Sequence, residues 1–215
     1  FNNILASILG YVSLAQTMLP PGNERIFGYL GAVMSAGERA RELVAKMLEF
    51  SRNAPREDLQ SVDPAPLIDE VARMMRAIIP SSMSLTVQHA DAPSRALLDP
   101  SDLHQLLLNL IVNARDALGP HGQIAVRVLS PHQVRGVCSG CHAAINGRYL
   151  VIEVEDNGSG IEPAVLSRIF DPFFSTKSPG KGTGMGLSVV HGILHRGRGH
   201  VLVDSTPGRG TRFSL

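Results

Sequence analysis

The first fifty residues of this chain carry two long helical patterns, separated by the helix-breaking sequence Pro-Pro-Gly at positions 20–22. From Ile4 to Leu19, apolar residues recur at steps of three and four, which is the spacing of one buried helical stripe. From Ile26 to Met47 the steps alternate between four and three, as in the seam of a coiled coil. The two segments therefore predict an antiparallel helical hairpin.

A hairpin of this kind has an incomplete hydrophobic core. Because two helices bury little apolar surface, a second hairpin from another copy of the chain is the expected partner, and the predicted assembly is a homodimeric four-helix bundle. Packing of the hairpin on the rest of its own chain is the alternative.

Beyond the hairpin, helical and extended patterns alternate. Prolines interrupt residues 53–66, which we interpret as a linker after a hairpin domain of residues 1–52. Helices are predicted at 67–79, 103–118 and 185–195, and strands at 85–89, 124–129, 149–155, 200–203 and 211–215. The alternation predicts an α+β chain in which an α/β sandwich of residues 67–215 follows the hairpin.

Charge and composition argue against several classes of protein. Lys and Arg (20) balance Asp and Glu (19), giving a net charge of +1, whereas a protein that coats nucleic acid needs a basic surplus. No apolar run approaches the roughly 20 residues of a membrane span, and the first residues lack the pattern of a secretion signal. The two cysteines lie three positions apart and cannot join distant parts of the fold, so a reducing, cytoplasmic setting is expected. The chain starts inside a helical pattern without Met, and we interpret it as a piece of a longer protein.

The predicted helix 103–118 has an unusual polar face. Gln105, Asn109, Asn113 and Asp116 are spaced four, four and three residues apart, so they share one side of the helix opposite an apolar side. Because Asn is a mediocre helix former, two of them on one face favour a ligand that accepts neutral oxygen donors, such as hydrated Mg²⁺ with phosphate. A merely solvated polar face is the alternative.

The predicted strand 149–155 runs into the sequence Asp-Asn-Gly-Ser-Gly-Ile at residues 156–161. An ordinary turn explains Asp followed by glycines. A carboxylate at the end of a strand can also accept a hydrogen bond from an exocyclic amine, which would select adenine over guanine.

A second glycine-rich segment, Gly-Lys-Gly-Thr-Gly-Met-Gly-Leu at residues 180–187, runs directly into a helical pattern. Uncovered backbone N–H groups at the start of a helix form a cradle for phosphate. A flexible linker is the alternative, although the abrupt start of the helix disfavours it.

Taken in order, these motifs resemble those of the histidine kinases of two-component systems. That family carries an Asn-rich helix, an Asp-x-Gly-x-Gly turn, a Phe-rich segment, a second Gly-rich stretch and a final Gly-x-Gly-Thr strand. The corresponding residues here are 109–117, 156–160, 169–174, 180–186 and 207–213. Residues 1–5, Phe-Asn-Asn-Ile-Leu, resemble the sequence that follows the phosphoacceptor His of the dimerisation helix.

The resemblance implies the ATP-binding sandwich shared with type II topoisomerases and a heat-shock chaperone, in a kinase that passes phosphate from His to an Asp of a response regulator. It implies that Asn113 holds Mg²⁺ and that Asp156 binds the adenine amine with support from Thr211. Lys177 or Lys181 would reach the charge of the triphosphate. The other residues implied to bind ATP are Asn109, Asp116, Gly158, Gly160, Ile161, Phe170, Gly182, Thr183, Gly184, Met185, Gly186 and Leu187. The Phe-rich segment, with Phe170, Phe173 and Phe174, would anchor a lid over the nucleotide or belong to the core.

The phosphoacceptor His of the family would lie immediately before Phe1, and none of the eight histidines fills that position. We therefore expect this chain to bind ATP and Mg²⁺ without phosphorylating itself. Asn3 falls at the position, four after that His, where the family assists dephosphorylation of the response regulator.

A Cys-x-x-Cys pair lies in an apparent insertion between the strands 124–129 and 149–155. The candidate metal ligands there are His132, Cys138, Cys141 and His142. The sequence Cys-Ser-Gly-Cys-His matches haem attachment in letters, but such haems are attached outside the cytoplasm. Zn²⁺ held by the two thiolates and one or both imidazoles, a redox pair, and an inert hairpin loop remain open.

Two other functions compete with the kinase. The ATPases of the topoisomerase and chaperone type should carry a water-activating Glu on the Asn-bearing helix, where this chain has Gln105. A scaffold that keeps the dimer and has lost nucleotide binding is disfavoured by the retained Asn and Gly residues.

Overall fold

The computed structural model describes residues 2–20, 22–51, 59–90, 94–177 and 182–215, with the side chains of residues 2, 3, 39 and 41–51 left out. The chain divides into two compact units, Phe1–Ala54 and Pro55–Leu215, which are taken separately below. The helices are α1 (Asn2–Met18), α2 (Glu24–Ser51), α3 (Pro64–Arg76), α4 (Pro100–Ala117), α5 (Pro163–Leu166) and α6 (Gly186–Arg196). The strands are β1 (Gln60–Val62), β2 (Met83–Gln88), β3 (Ala96–Leu98), β4 (Gly122–Val137), β5 (Ala144–Asp156), β6 (Leu202–Thr206) and β7 (Gly210–Ser214).

The first unit is the predicted helical hairpin, in which α1 and α2 pack on one another. Leu9 of α1 lies against Gly37 of α2, where a Cβ atom would come within 2.6 Å of the Leu9 Cδ2 atom. Glycine at this position therefore lets the two helices approach closely. None of the described side chains of this unit is fully buried, and no described helix of the chain is both long and apolar enough to cross a membrane.

The segment expected to be a linker, residues 53–66, is partly structured. Strand β1 pairs with β3 in a separate two-stranded antiparallel sheet, and α3 begins at Pro64. Asp63 caps α3 by accepting a hydrogen bond from the Ala65 backbone N–H at 3.0 Å. One of the prolines that we interpreted as interrupting a helix, Pro64, is instead the first residue of α3. Its missing N–H costs no hydrogen bond there, because the N–H groups of a first helical turn have no partner within the helix.

The main sheet of the second unit has five strands in the order β2-β4-β5-β7-β6. Strands β2 and β4 are parallel, and the other neighbouring pairs are antiparallel. Alternate residues of β4, namely Ile124, Val126 and Val128, are buried. Helix α4 packs on β4 and β5 and lies against both α3 and α6. The layer of helices on a mixed sheet confirms the predicted α+β sandwich.

The register brings Asp156, the last residue of β5, opposite Ile124 of β4 and Thr211 of β7. Cross-strand partners share a face of the sheet, so Asp156 lies on the face that buries Ile124. The opposite face carries ion pairs of Arg127 and Arg212 with Glu155. These two guanidinium groups hold the pKa of the Glu155 carboxyl below its ordinary value.

The apparent insertion between the second and third strands of the main sheet, β4 and β5, is a long β-hairpin. The predicted strands 124–129 and 149–155 extend to β4 and β5, which pair as far as Val137 and Ala144 beyond an irregularity between Leu129 and His132. Sequence patterning failed here because most residues of the extension are exposed on both faces and show no alternation of apolar and polar side chains. The hairpin closes in a turn where the Cys138 N–H donates to the Ala143 carbonyl at 2.9 Å.

Candidate functional site

Helix α4 supplies the polar stripe that its sequence predicts. Its apolar side is buried through Leu103, Leu106, Leu107, Leu110, Ile111 and Ala114. Asn109 and Asn113 are half-buried on the other side. The Asn109 Nδ2 atom is buried and lacks a hydrogen-bond partner among the described residues. Because an orphaned buried amide costs about 1–3 kcal/mol, this atom indicates a site that a ligand completes.

Helix α6 begins directly over this pair of amides. A Cβ atom on Gly186, its first residue, would lie 3.5 Å from Asn113 Nδ2 and 3.7 Å from Asn109 Oδ1. The residue before it, Met185, is fully buried, and no side chain caps the N-terminus of α6. No side chain caps the first N–H groups of α6, and the two Asn side-chain amides lie beside them. This arrangement suits a phosphate group that carries a bound metal ion.

The last polar position of the stripe, Asp116, lies in an ion-pair cluster. Lys177 Nζ is 2.7 Å from Asp116 Oδ2, and Arg115 Nη2 is 2.7 Å from Asp116 Oδ1. Partial burial raises the pKa of Asp116, but the hydrogen bonds and positive charges of Lys177 and Arg115 outweigh it and leave that pKa below its ordinary value. Lys177 is thus held beside α4 by a carboxylate that stays ionised.

Asp156 lies at the other end of the site and is 6% exposed. Its Oδ1 atom accepts a hydrogen bond from the Gly158 N–H at 2.8 Å. Burial raises the pKa of Asp156, although the backbone N–H groups of Gly158 and Thr211 oppose the shift. An ionised carboxylate has about four acceptor positions, so these two backbone N–H groups leave capacity for a further donor.

A hydroxyl network lies on the strands β7 and β6, beside the end of β5 that carries Asp156. Thr211 is buried, and its Oγ1 atom lies 2.9 Å from Ser205 Oγ on β6. Ser205 Oγ also accepts a hydrogen bond from the Ile161 N–H at 2.8 Å. Sequence reasoning missed Ser205, because a Ser within a short strand carries no motif; its contact with two predicted site residues is the signal that finds it.

The two glycines of the first turn are required by close backbone contacts within the protein. A Cβ atom on Gly158 would lie 2.6 Å from the Ala117 carbonyl oxygen at the end of α4. At Gly160, where φ is +68°, it would lie 2.2 Å from the Thr206 carbonyl oxygen. Glycine at both positions is therefore required by the junction of α4, this turn and the β6–β7 turn.

The Phe-rich segment divides between core and surface. Phe170 is buried, whereas Phe173 is 55% exposed and has a positive φ of 66°. Phe174 stacks beneath the guanidinium of Arg168, whose Cζ atom lies 4.4 Å from the ring centroid. Gly184 lies against the backbone of residues 173 and 174, since its Cβ would come within 2.4 Å of the Phe173 carbonyl carbon.

Most of the residues implied to bind ATP surround the start of α6 or the end of β5. The α6 group comprises Asn109, Asn113, Gly182, Thr183, Gly184, Met185, Gly186 and Leu187. The β5 group comprises Asp156, Gly158, Gly160, Ile161 and Thr211. Phe170 instead packs in the core against the ring of His191. Lys181 lies outside the described residues, as does the side chain of Asn3.

The Cys-x-x-Cys pair lies elsewhere, in the turn between β4 and β5. Its ligand atoms form one close group with His200, and those of Cys141 form a second with His191 and His195. Burial raises the pKa of the Cys138 thiol, but hydrogen bonds, first from the backbone N–H groups of Cys141 and Val201, outweigh it and bring that pKa to about 7.

The predicted ligands His132 and His142 belong to neither group among the described residues. His132 is six residues before Cys138 along an extended strand, a distance of about 20 Å. Its Nδ1 atom lies 2.9 Å from the Ser130 carbonyl oxygen. The histidines of the two groups come instead from residues 191–200, a segment that spacing in the sequence does not connect to the cysteines.

Comparison with known proteins agrees with this arrangement. Residues 98–215 match the family described as histidine kinase-, DNA gyrase B- and HSP90-like ATPase. All of the chain aligns with 22% of a sensor kinase, CckA, of Brucella abortus (strain 2308), at 33% identity over 223 residues. Sensor histidine kinase ZraS of Escherichia coli (strain K12) is 33% identical over 215 residues, which are 99% of this chain and 42% of that protein.

Solved structures agree as well. Full-length ShkA in complex with AMPPNP is similar over 99% of this chain and 42% of that one, with a TM-score of 0.70 and 25% identity. The histidine kinase ThkA in complex with the response regulator TrrA shares the fold over 98% of this chain and 56% of that one, with a TM-score of 0.64 at 20% identity. The chain spans less than half the length of the curated relatives described here.

Proposed function

Because this chain belongs to the histidine kinase, DNA gyrase B and HSP90-like ATPases and carries the ATP-binding domain of a sensor histidine kinase, we propose that its residues 67–215 bind ATP with Mg²⁺ for phosphorylation of a histidine. ATP is the phosphoryl donor in that reaction. The domain would then work in the cytoplasm, where ATP is supplied.

The observation that carries the proposal is the orphaned amide of Asn109 beside the start of α6. An uncapped helix N-terminus attracts phosphate, and the amide oxygens of Asn109 and Asn113 are ligands that Mg²⁺ accepts. Lys177, anchored by Asp116, supplies positive charge near the Gly182 backbone, where a Cβ atom would lie 3.2 Å from Lys177 Cδ. In phosphoryl transfer the protein mainly positions groups and offsets charge, and these residues do both.

At the other end of the site, Asp156 would accept a hydrogen bond from the adenine amino group. Its burial and the backbone N–H groups of Gly158 and Thr211 would fix the carboxylate in place. The carbonyl of guanine would face the same carboxylate unfavourably. We therefore infer selectivity for ATP over GTP.

The topoisomerase or chaperone type of ATPase is not favoured. The relatives at 33% identity are sensor kinases, and Gln105 replaces the Glu expected of those ATPases. Passage of phosphate to a response regulator, and the part of Asn3 in its dephosphorylation, stay predictions for the intact protein. For Asn3 the measurement is the rate at which phosphorylated response regulator loses phosphate with the Asn3→Ala variant.

The Mg²⁺ part of the proposal is tested by Asn113→Ala. We expect the unchanged chain to bind ATP in the presence of Mg²⁺. The variant should bind ATP about 10-fold more weakly, because a tenfold loss of affinity is about the free energy that one hydrogen-bonding group contributes. With the metal chelated by EDTA, the two proteins should bind ATP with similar affinity. Isothermal titration calorimetry with ATP, with and without Mg²⁺, gives both values.

Gln88→Ala is the matched control, because it removes an exposed amide from strand β2 at the edge of the sheet. It should leave the ATP affinity unchanged. Failure of the unchanged chain to bind ATP would favour the scaffold function and contradict the proposal. If Asn113→Ala and the unchanged chain bind ATP with equal affinity in the presence of Mg²⁺, Asn113 is not a ligand of the metal.

We further propose that the hairpin forms a homodimer. One stripe along α1 and the residue after it is half-buried, and it consists of Leu5, Leu9, Val12, Gln16 and Leu19. A second stripe beside it is exposed. That stripe consists of Ile4, Ile8, Tyr11, Ala15 and Met18, with Tyr11 75% exposed. The residues of this exposed apolar stripe are spaced alternately four and three positions apart, which is the spacing found where two helices pack together. A second copy of the hairpin would cover the stripe.

Tyr11→Glu tests the dimer. A carboxylate in the middle of the seam would have to be desolvated on association, so we expect the variant to be monomeric at concentrations where the unchanged chain is dimeric. Light scattering coupled to size-exclusion chromatography should give 23.0 kDa for the variant and twice that mass for the unchanged chain. Ser13→Glu, on an exposed polar position of the same helix, should stay dimeric; a monomeric unchanged chain would contradict the proposal.

A further inference from the structure

The turn of the long β-hairpin collects sulfur and nitrogen ligands that the nucleotide site does not use. The Cys138 Sγ atom, the Cys141 Sγ atom and a ring nitrogen of His200 all lie within 4.8 Å of one another. Cys141 Sγ is 4.0 Å from His200 Nδ1. The residue His200 comes from the segment before β6, so the group joins two parts of the chain that are about sixty residues apart in sequence.

Backbone contacts hold this turn in place without any metal. The Ser139 N–H donates to the Val201 carbonyl at 2.8 Å, and the His142 N–H donates to the Cys138 carbonyl at 3.0 Å. The Val201 N–H points at Cys138 Sγ, 3.5 Å away. Cys138 is only 1% exposed. The two sulfur atoms are therefore positioned by the fold before any ligand binds, which lowers the entropic cost of binding.

A fourth ligand is available from helix α6. The Nε2 atom of His191 is buried and has no hydrogen-bond partner among the described residues. A Cβ atom on Gly140, inside the Cys-x-x-Cys turn, would lie 2.9 Å from that nitrogen. A ligand nitrogen of His191 lies within 4.8 Å of Cys141 Sγ, in a second group that shares only Cys141 with the first. To complete one four-ligand site, the His191 ring would therefore have to move toward Cys138 and His200. Such an orphaned nitrogen facing the turn needs a partner, and a metal ion would supply one.

The ligand types and their spacing suit zinc. With Zn–S bonds near 2.3 Å and Zn–N bonds near 2.05 Å, tetrahedral geometry gives a sulfur-to-nitrogen separation of about 3.6 Å. The 4.0 Å between Cys141 Sγ and His200 Nδ1 is within about half an ångström of that value, which side-chain rotation covers. Calcium and magnesium prefer oxygen ligands, and this cluster offers none.

We propose that Cys138, Cys141, His191 and His200 form a structural zinc site. The ion would fasten the tip of the β4–β5 hairpin to helix α6 and to the segment that enters β6. His195 also belongs to the group around Cys141. Because it is exposed, we do not assign it as a ligand. The site is independent of ATP binding.

The test is zinc content, measured by mass spectrometry on the full chain purified in reducing buffer, supplied with ZnCl₂ and then dialysed. We expect about one zinc ion per chain. Cys141→Ser and His200→Asn should each retain less than about a tenth of that amount, and His191→Asn should bind zinc at least about 10-fold more weakly. His132→Asn, His142→Asn and His195→Asn are matched controls, which remove a histidine without removing an assigned ligand and should keep the full amount.

A second measurement does not depend on the variants folding. When Co²⁺ replaces Zn²⁺ in the unchanged chain, the absorption spectrum should contain thiolate-to-metal charge transfer and the d–d bands of tetrahedral coordination. A chain that holds no zinc after dialysis, or a cobalt spectrum without thiolate bands, would overturn the site. Loss of zinc in His195→Asn together with retention in His191→Asn would overturn the ligand assignment. ATP titrations of the same samples report separately on the proposed function.

Discussion

Asp156→Ala is expected to lower the affinity for ATP about 100-fold, a loss of about 2.8 kcal/mol. The carboxylate is buried and has one backbone donor on Oδ1, so its remaining acceptor capacity is directed at whatever occupies the site. A hydrogen bond to a charged group contributes about 1.5–3 kcal/mol, and its loss leaves the adenine amine without a partner. Calorimetric titration with ATP and with GTP gives the affinity and the selectivity.

Asp156→Asn separates binding from stability. Asn can still accept the Gly158 N–H, so the fold loses little, whereas the negative charge that attracts the amine is gone. We expect ATP affinity to fall about 10-fold and discrimination against GTP to weaken. An Asp156→Ala variant that binds ATP as tightly as the unchanged chain, with an unaltered circular dichroism spectrum, would refute the assignment of this carboxylate to adenine.

The pKa of Asp156 gives the same variant a pH signature. Burial raises that pKa in the folded chain above the ordinary value of 3.8, so ionisation of Asp156 opposes folding. Its contribution to stability is fully present below pH 3.8 and is lost as pH rises through the folded pKa. The unfolding free energy of Asp156→Asn, measured relative to the unchanged chain by denaturant titration, should therefore increase as pH is raised above 3.8.

Gly160→Ala is expected to destabilise the second unit by about 3 kcal/mol or more, which corresponds to a fall in Tm of about 10 °C. Two costs add at this residue. A left-handed backbone costs a residue with a side chain about 1–2 kcal/mol, and the new methyl group would lie 2.2 Å from the Thr206 carbonyl oxygen. Relief of the clash moves the β6–β7 turn, so ATP affinity should fall as well.

Gly208→Ala is the matched control for this prediction. Gly208 also has a positive φ, +75°, but nothing lies within 4 Å of its Cβ position. It therefore incurs the conformational cost without the clash, and its Tm should fall by less than half as much. Thermal denaturation followed by circular dichroism compares the two variants, and equal losses of Tm would mean that the contact with Thr206 does not matter.

Local sequence patterns were sufficient for every helix except the four-residue α5 and for most of the main sheet. The four polar residues of α4 lie on one side because a helical period leaves no other arrangement, and Asp156 lies at a strand end because glycines follow it. The short strands β1 and β3 were missed, since three residues carry no periodicity.

The ligand set around the cysteines was beyond sequence reasoning for a different reason. Proximity in sequence suggested His132 and His142, whereas tertiary contacts bring in His191 and His200. The turn contacts Val201 through one backbone hydrogen bond, from the Ser139 N–H, and through the Val201 N–H that donates to Cys138 Sγ. These contacts decide which histidines are near. They depend on the order of the whole sheet, in which β7 pairs with β5 and β6 pairs with β7, and no local window of the sequence contains that order.

The two units differ in how their apolar residues are covered, and this affects what a melting experiment measures. Every fully buried apolar residue among those described belongs to the second unit, from Ile68 onward, whereas the described side chains of the hairpin remain partly exposed. In the proposed homodimer the hairpin would derive its cooperativity from association, so its transition should shift with protein concentration, while the transition of the second unit should not. No single free energy of unfolding is defined for such a chain.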